Sequence, residues 1–269
     1  VEDGGKIINN GVINVEGAES KPKDPSQQDT PVVTDIKRAD MFVNYGGVLE
    51  NNGCLSLKGD LYVLGTLNNN GNYDDTIDAH DPDKGTTSYH RGIQVTWKDV
   101  VTDEGIEPGV LNVGIDADKK VEERAVLNNK GDIVLAPGTF NLYGTFNNDG
   151  NLYLCTADEA IIPVINPDDP LEVERRVPVN PPKESVFNKE NGKVSGSGFI
   201  GYAKVALIHN GVLGELTRLY AVTFVDGQGN TLKIDKVEKG KGATAPEAPK
   251  RDGYTFKGWC LGSSSTVSN

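Results

Sequence analysis

The run Asp74-Asp75-Thr76-Ile77-Asp78-Ala79-His80-Asp81-Pro82-Asp83 is the densest cluster of carboxylates in a chain of 269 residues. Calcium prefers about six to eight hard oxygen ligands, which alternate carboxylates in one loop can supply. Asp74, Asp75, Asp78, Asp81 and Asp83 are therefore the candidate metal ligands, and calcium is the one cofactor considered. The spacing lacks the glycine and closing Glu of an EF-hand, so a solvated acidic loop is the competing reading. Shortly downstream, Tyr89, His90, Arg91 and Trp97 combine aromatic and cationic groups in one insertion and form the candidate ligand surface. A lone Trp serving a core is the alternative there.

Catalytic chemistry finds little support. Cleavage of a polysaccharide needs two carboxylates flanking a groove, or clustered carboxylates with a Lys or Arg base. The acid pairs Glu122-Glu123 and Asp168-Asp169 lie in irregular stretches and read as solvated faces. His80, His90 and His209 stand at no spacing from a Ser or Cys that suggests a nucleophile. Neither Gly-rich stretch is followed by the Gly-Lys-Ser/Thr of a phosphate loop. Cys54, Cys155 and Cys260 are far apart, cannot all pair within one chain and read as buried apolar thiols. The chain is expected to be non-enzymatic, with no catalytic and no cofactor-binding residues.

The elements that position these residues follow from a repeat. Asn-Asn-Gly or a close variant recurs at Asn9-Asn10-Gly11, Asn51-Asn52-Gly53, Asn69-Asn70-Gly71, Asn128-Asn129-Lys130-Gly131 and Asn147-Asn148-Asp149-Gly150, with a weaker Asn188–Gly192. Gly53–Asn72 and Gly131–Asn151 align with one extra residue in the second. Within them Leu55, Leu57, Leu61, Val63 and Leu67, and again Ile133, Leu135, Phe140, Leu142 and Phe146, alternate with polar residues. Period two marks strands, and one short rung cannot bury its apolar side except by stacking on the next. The reading is an irregular parallel β-helix or β-solenoid, with Gly and Asn supplying left-handed backbone at the corners. A hairpin-rich sandwich, in which each Asn-Gly is an ordinary turn, is the competing architecture. Gly17–Lys37, Asp74–Arg124 and Ala157–Ser185 interrupt the repeat and are expected to leave the solenoid as side loops.

Composition agrees. There are 39 acidic and 27 basic residues, a net charge of −12, 32 Gly and 24 Asn. Such an acidic balance argues against nucleic acid as a partner. No run approaches the roughly 18 apolar residues of a membrane-spanning helix. No signal-peptide pattern opens the chain at Val1, the pattern of a mature or excised chain. From Leu216 onward eight Lys or Arg face five Asp or Glu, a net of +3 that leaves −15 on the first 215 residues. A charge change of this kind places a domain boundary near Leu216, giving domains 1–215 and 216–269.

The C-terminal texture is distinct. Tyr220–Asp226 alternates as a strand, Gly227–Asn230 is a turn, Thr231–Val237 is a second strand and Lys239–Gly242 a second turn. Pro246 and Pro249 then lead into Arg251-Asp252-Gly253-Tyr254-Thr255-Phe256-Lys257-Gly258-Trp259. These blocks, in this order, resemble the Listeria-Bacteroides repeat, or internalin B-repeat. The resemblance implies a small β-grasp-like α+β module without catalytic residues, found in secreted and cell-wall proteins of bacteria. Cys260 stands where that family usually has Tyr, and the last strand of the module is expected to be cut short. Tyr254, Phe256 and Trp259 read as the core of this module, with a sugar-stacking platform as the alternative.

Together these readings give a monomeric bacterial cell-surface or cell-wall protein, an adhesin or structural stalk, with a host or extracellular-matrix protein or a glycan as partner. A carbohydrate-active β-helix enzyme and a glycan- or calcium-binding module are the alternatives.

Overall fold

A four-residue strand flanked by Gly-containing corners cannot stand alone, because it leaves apolar side chains and backbone amides in water. The computed structural model describes residues 1–16, 40–81, 85–102, 105–156, 184–208 and 212–262, and in it these strands meet both needs by stacking. No helix occurs among the described residues. Two compact units are present, residues 1–217 and 218–269.

In the first unit the chain visits three parallel sheets in fixed order, the arrangement of a β-solenoid. Face one contains β1 (Lys6–Asn9), β4 (Val48–Asn51), β7 (Thr66–Asn69), β13 (Val126–Asn129), β16 (Thr145–Asn148) and β19 (Lys193–Ser195). Face two contains β2 (Val12–Glu16), β5 (Cys54–Lys58), β10 (Gly92–Val95), β14 (Asp132–Leu135), β17 (Asn151–Thr156) and β20 (Phe199–Ile208). Face three contains β3 (Asp40–Val43), β6 (Asp60–Val63), β12 (Gly105–Val113), β15 (Gly138–Leu142) and β18 (Val186–Lys189). Parallel pairing between successive turns excludes the hairpin sandwich. Like residues fall in register: Leu49, Leu67, Leu127 and Phe146 on face one, and Leu55, Ile93, Ile133 and Leu152 on face two. All of these are fully buried, as are the alternating residues of both matched segments, Leu55 to Leu67 and Ile133 to Phe146.

Asparagine has a role beyond the corners. The last residue of each of the first five face-one strands points inward, and Asn9, Asn51, Asn69, Asn129 and Asn148 form a buried column. Each Nδ2 donates to the Oδ1 of the next turn: Asn9 to Asn51 at 2.8 Å, Asn51 to Asn69 at 2.8 Å, Asn69 to Asn129 at 2.7 Å and Asn129 to Asn148 at 2.7 Å. A second N–H reaches the first carbonyl of face two one turn on, from Asn9 to Cys54, Asn69 to Asp132, Asn129 to Asn151 and Asn148 to Phe199. Side chains thereby knit the corner that the backbone ladder leaves.

The expectation of left-handed corners holds at Gly46, Gly92, Gly114 and Gly196 but is corrected at the Asn-Gly corners. Lys119 is the one non-glycine residue with positive φ among the described residues, and Gly11, Gly53, Gly71, Gly131 and Gly150 are not left-handed. These glycines are required by proximity. A Cβ on Gly53 would meet the carbonyl oxygen of Gly11, one on Gly131 that of Gly71, and one on Gly150 that of Gly131. Any side chain there would push successive turns apart.

Asp74–Arg124, expected as a side loop, contains two strands of the solenoid itself. Ile93 and Val95 of β10 and Leu111 and Val113 of β12 are fully buried in the core. What departs from the turn is the hairpin of β8 (Thr76–Asp81) and β9 (Gly85–His90), and β11 (Trp97–Thr102) paired antiparallel with β12.

In the second unit, Leu219–Val225 of β21 (Val212–Val225) pairs antiparallel with β22 (Thr231–Glu238). Asp226 closes the turn by accepting the N–H groups of Gln228 and Asn230, at 2.8 and 2.9 Å. Hydrogen bonds from Asn230, first its side chain, hold the Asp226 carboxyl below its ordinary range. Trp259 packs edge-on against Phe224 at 5.1 Å and Phe256 at 5.2 Å. Tyr254 is 67% exposed, with Arg251 over its ring, and so lies outside that small core.

Asn69→Leu keeps the shape but strands the Asn51 amide, the Asn129 oxygen and the Asp132 carbonyl. At about 1–3 kcal/mol per buried group left unsatisfied, urea unfolding should show a loss of about 3 kcal/mol or more. The outward neighbour substitution Asn68→Leu should cost under about 1 kcal/mol, as surface changes do. Equal losses would contradict the different roles given to the two amides.

Candidate functional site

Where the chain leaves the solenoid decides what it can present. Gly59 alone joins β5 to β6, and Ala136-Pro137 join β14 to β15. The other turns have longer connections between these two faces, of which residues 17–39 and 157–183 lie outside the described residues. Residues 17–39 separate β2 from β3, β11 is interposed between β10 and β12, and residues 157–185 separate β17 from β18. Short and long connections alternate turn by turn.

Residues 76–81 of the acidic run form β8, one strand of the β8–β9 hairpin on the edge between faces one and two. Asp74, Asp75 and Asp78 are exposed, and Asp78 accepts the Ser88 hydroxyl. The side chain of Asp81 and the whole of Asp83 lie outside the described residues. Among the described residues, no three His, Cys, Asp or Glu side chains converge as a metal site.

The candidate ligand surface is engaged in anchoring this hairpin. His90 stacks on Tyr73 with ring centroids 4.3 Å apart and planes 7° from parallel, and its Nδ1 lies 2.7 Å from the Tyr73 carbonyl. The Arg91 guanidinium donates to the Asn52 carbonyl at 2.8 Å. Tyr89 is half-buried and pairs with Ile77 across the hairpin. The side chain of Trp97 lies outside the described residues. Sequence reasoning passed over Tyr73 and Asp132, which fix the base of the hairpin. Both oxygens of the buried Asp132 carboxylate accept, from the Tyr73 N–H and from Asn151 Nδ2, each at 2.6 Å. A buried carboxylate thus finds its partners without a cation. The Tyr73 hydroxyl donates to the Gly214 carbonyl at 2.6 Å, and Tyr73 joins Val134, Ala136, Cys155, Ala203, Val205 and Leu213 in a second apolar cluster. Val134 of this cluster is an outward residue of face two, so part of that face is covered.

Burial also silences the thiols. Desolvation pushes Cys54 up to about 12 and raises Cys155 well above the ordinary thiol range, so neither is a thiolate at neutral pH. Cys260 is exposed, unlike the buried thiol expected there. Of the acid pairs, Glu122 is held by Arg124 in a bidentate pair with both contacts at 2.8 Å, which brings its carboxyl down to about 2. The same guanidinium lies 4.2 Å over the ring of Tyr45 and donates to its hydroxyl at 3.0 Å. Asp168, Asp169 and His209 lie outside the described residues.

Comparison with known proteins assigns the C-terminal part. Residues 220–269 match the Listeria-Bacteroides repeat domain. The Listeria-Bacteroides repeat is typical of surface or extracellular proteins, and its presence points to a bacterial surface protein. The match spans the β21–β22 hairpin, the two prolines and the Phe224–Phe256–Trp259 cluster. No solved structure matches the chain. No helix among the described residues is long and apolar enough to cross a membrane.

Thiol labelling checks the burial of Cys54 and Cys155. In native protein at pH 8 a maleimide or disulfide reagent should modify Cys260 alone, and all three cysteines in denaturant. Fast native labelling of Cys54 or Cys155 would contradict the packing.

Proposed function

We propose that this chain is the non-catalytic attachment region of a bacterial surface protein, an adhesin whose solenoid holds loop segments along one edge. The observation that carries this reading is the alternation of minimal and long connections between faces two and three. A rigid stack with insertions at alternate turns spaces recognition segments at fixed intervals, which suits multivalent contact with a host or matrix surface. The Listeria-Bacteroides repeat supports a surface setting, with the module serving as a β-grasp-like spacer. The outer side of face one carries a row of amides and hydroxyls, in keeping with a binding role.

Replacing residues 17–39 and 157–183 by short Gly-Ser linkers tests this. Beads coated with the shortened chain should lose most attachment to epithelial cells or matrix, while the unfolding transition stays in place. Undiminished attachment with both segments removed would overturn the proposal.

A further inference from the structure

The outer side of face one carries an amide ladder, as does face three through Asn112, Asn141 and Asn188, but face three also places Asp40 beside Asp60 in register. Its outward positions form two rows: Lys6, Val48, Thr66, Val126, Thr145 and Lys193, and Ile8, Glu50, Asn68, Asn128, Asn147 and Ser195. None of these residues belongs to either apolar cluster, and the central ones are half-exposed. Lys6 on the first turn pairs with Glu50 on the second at 2.7 Å, and Lys193 stands on the last turn. The four central residues of each row are uncharged apart from the paired Glu50, on a solenoid that carries −15.

The polar groups in the second row are already oriented. Asn128 Nδ2 donates to Asn68 Oδ1 at 2.8 Å, Asn147 Nδ2 to Asn128 Oδ1 at 2.8 Å, and Ser195 Oγ to Asn147 Oδ1 at 2.6 Å. A carboxamide has two donors and two acceptor sites. In Asn128 and Asn147 one of each is used within the row, which leaves one N–H and one lone pair per turn in a fixed direction. Turns repeat at about 4.8 Å, the separation of paired strands. Thr66 and Thr145 add hydroxyls two residues before the amides of their own strands. At the corner that enters this face, Tyr45 is 51% exposed, and Arg124 against its ring limits its motion.

We infer that this face binds an extended, uncharged polysaccharide laid along the solenoid axis. Sugar hydroxyls both donate and accept, so they complement a row that offers one of each per turn, and sugar units recur at a rise close to one turn. An anionic glycan would face the repulsion of a −12 chain without a basic patch to offset it. Ladder-held amides lose little freedom on binding, which favours affinity from many weak contacts. Tyr45 offers an amphipathic ring at the margin, a surface suited to a sugar face. This inference uses no residue of the connections between faces two and three, so either reading can fail without the other.

Affinity electrophoresis of the full chain in gels containing hydroxyethyl cellulose, galactomannan or polygalacturonate tests the inference. Retardation is expected in at least one neutral polysaccharide and not in polygalacturonate. Thr66→Lys with Thr145→Lys, both outward on this face, should weaken the retardation at least fivefold with an unchanged melting temperature. Thr139→Lys on the outer side of face three should leave it intact, as should removal of residues 17–39 and 157–183. Absence of retardation in both neutral gels, equal retardation of the Thr66/Thr145 variant, or retardation by polygalacturonate alone would overturn the inference.

Discussion

The buried amide column from Asn9 to Asn148 is the interaction on which the rest of the molecule depends. Each amide sits where a leucine would otherwise fill the core, and burying it unsatisfied would cost about 1–3 kcal/mol. Because each has partners on neighbouring turns, the column favours a single register: a slip by one residue would bury polar groups without partners and turn the apolar rows outward. Successive members are 42, 18, 60 and 19 residues apart in the chain yet one turn apart in space. The register is therefore insensitive to how much chain is inserted between turns. That tolerance permits the acidic hairpin and the long edge segments.

The column also explains the corner that follows it. With the second N–H of the amide satisfying the first carbonyl of face two, the chain turns sharply, and the next glycine lies against the glycine of the turn below. The column ends at Gly196, which occupies the matching position after Ser195 and has no amide to extend it. There β20 and β21 lengthen, and Leu213 and Gly214 are placed against the outer side of face two. Part of face two is thus covered, while the outer side of face one stays open, with the paired Glu50 as the one charge among its central positions.

Much of this was legible in the sequence. The spacing of Asn-Gly corners and the period-two rows gave the stacked strands, and the blocks around Tyr220–Trp259 gave the C-terminal module. What was missed was what the asparagines do. A run such as Asn68-Asn69-Asn70 reads as one polar corner, but strand alternation sends Asn68 outward, Asn69 into the core and Asn70 onto the corner, each into a separate ladder. β10 and β12 were hidden because hairpins interrupt their turn and Gly92 takes the place of a corner residue. The partners of Asp132 and Tyr73 come from distant turns and leave no local signal, and the anchoring role of His90 and Arg91 depends on them.

The inward and outward amides make opposite claims on solvent, and that contrast can be measured. Side-chain amide hydrogen exchange, followed by NMR on uniformly 15N-labelled protein, should find the Nδ2 protons of Asn51, Asn69 and Asn129 exchanging as slowly as the core backbone amides of β7 and β13. Those of Asn68, Asn128 and Asn147 should exchange orders of magnitude faster, despite similar hydrogen bonds. Comparable rates in the two sets would contradict a solenoid whose register is fixed by a buried amide column.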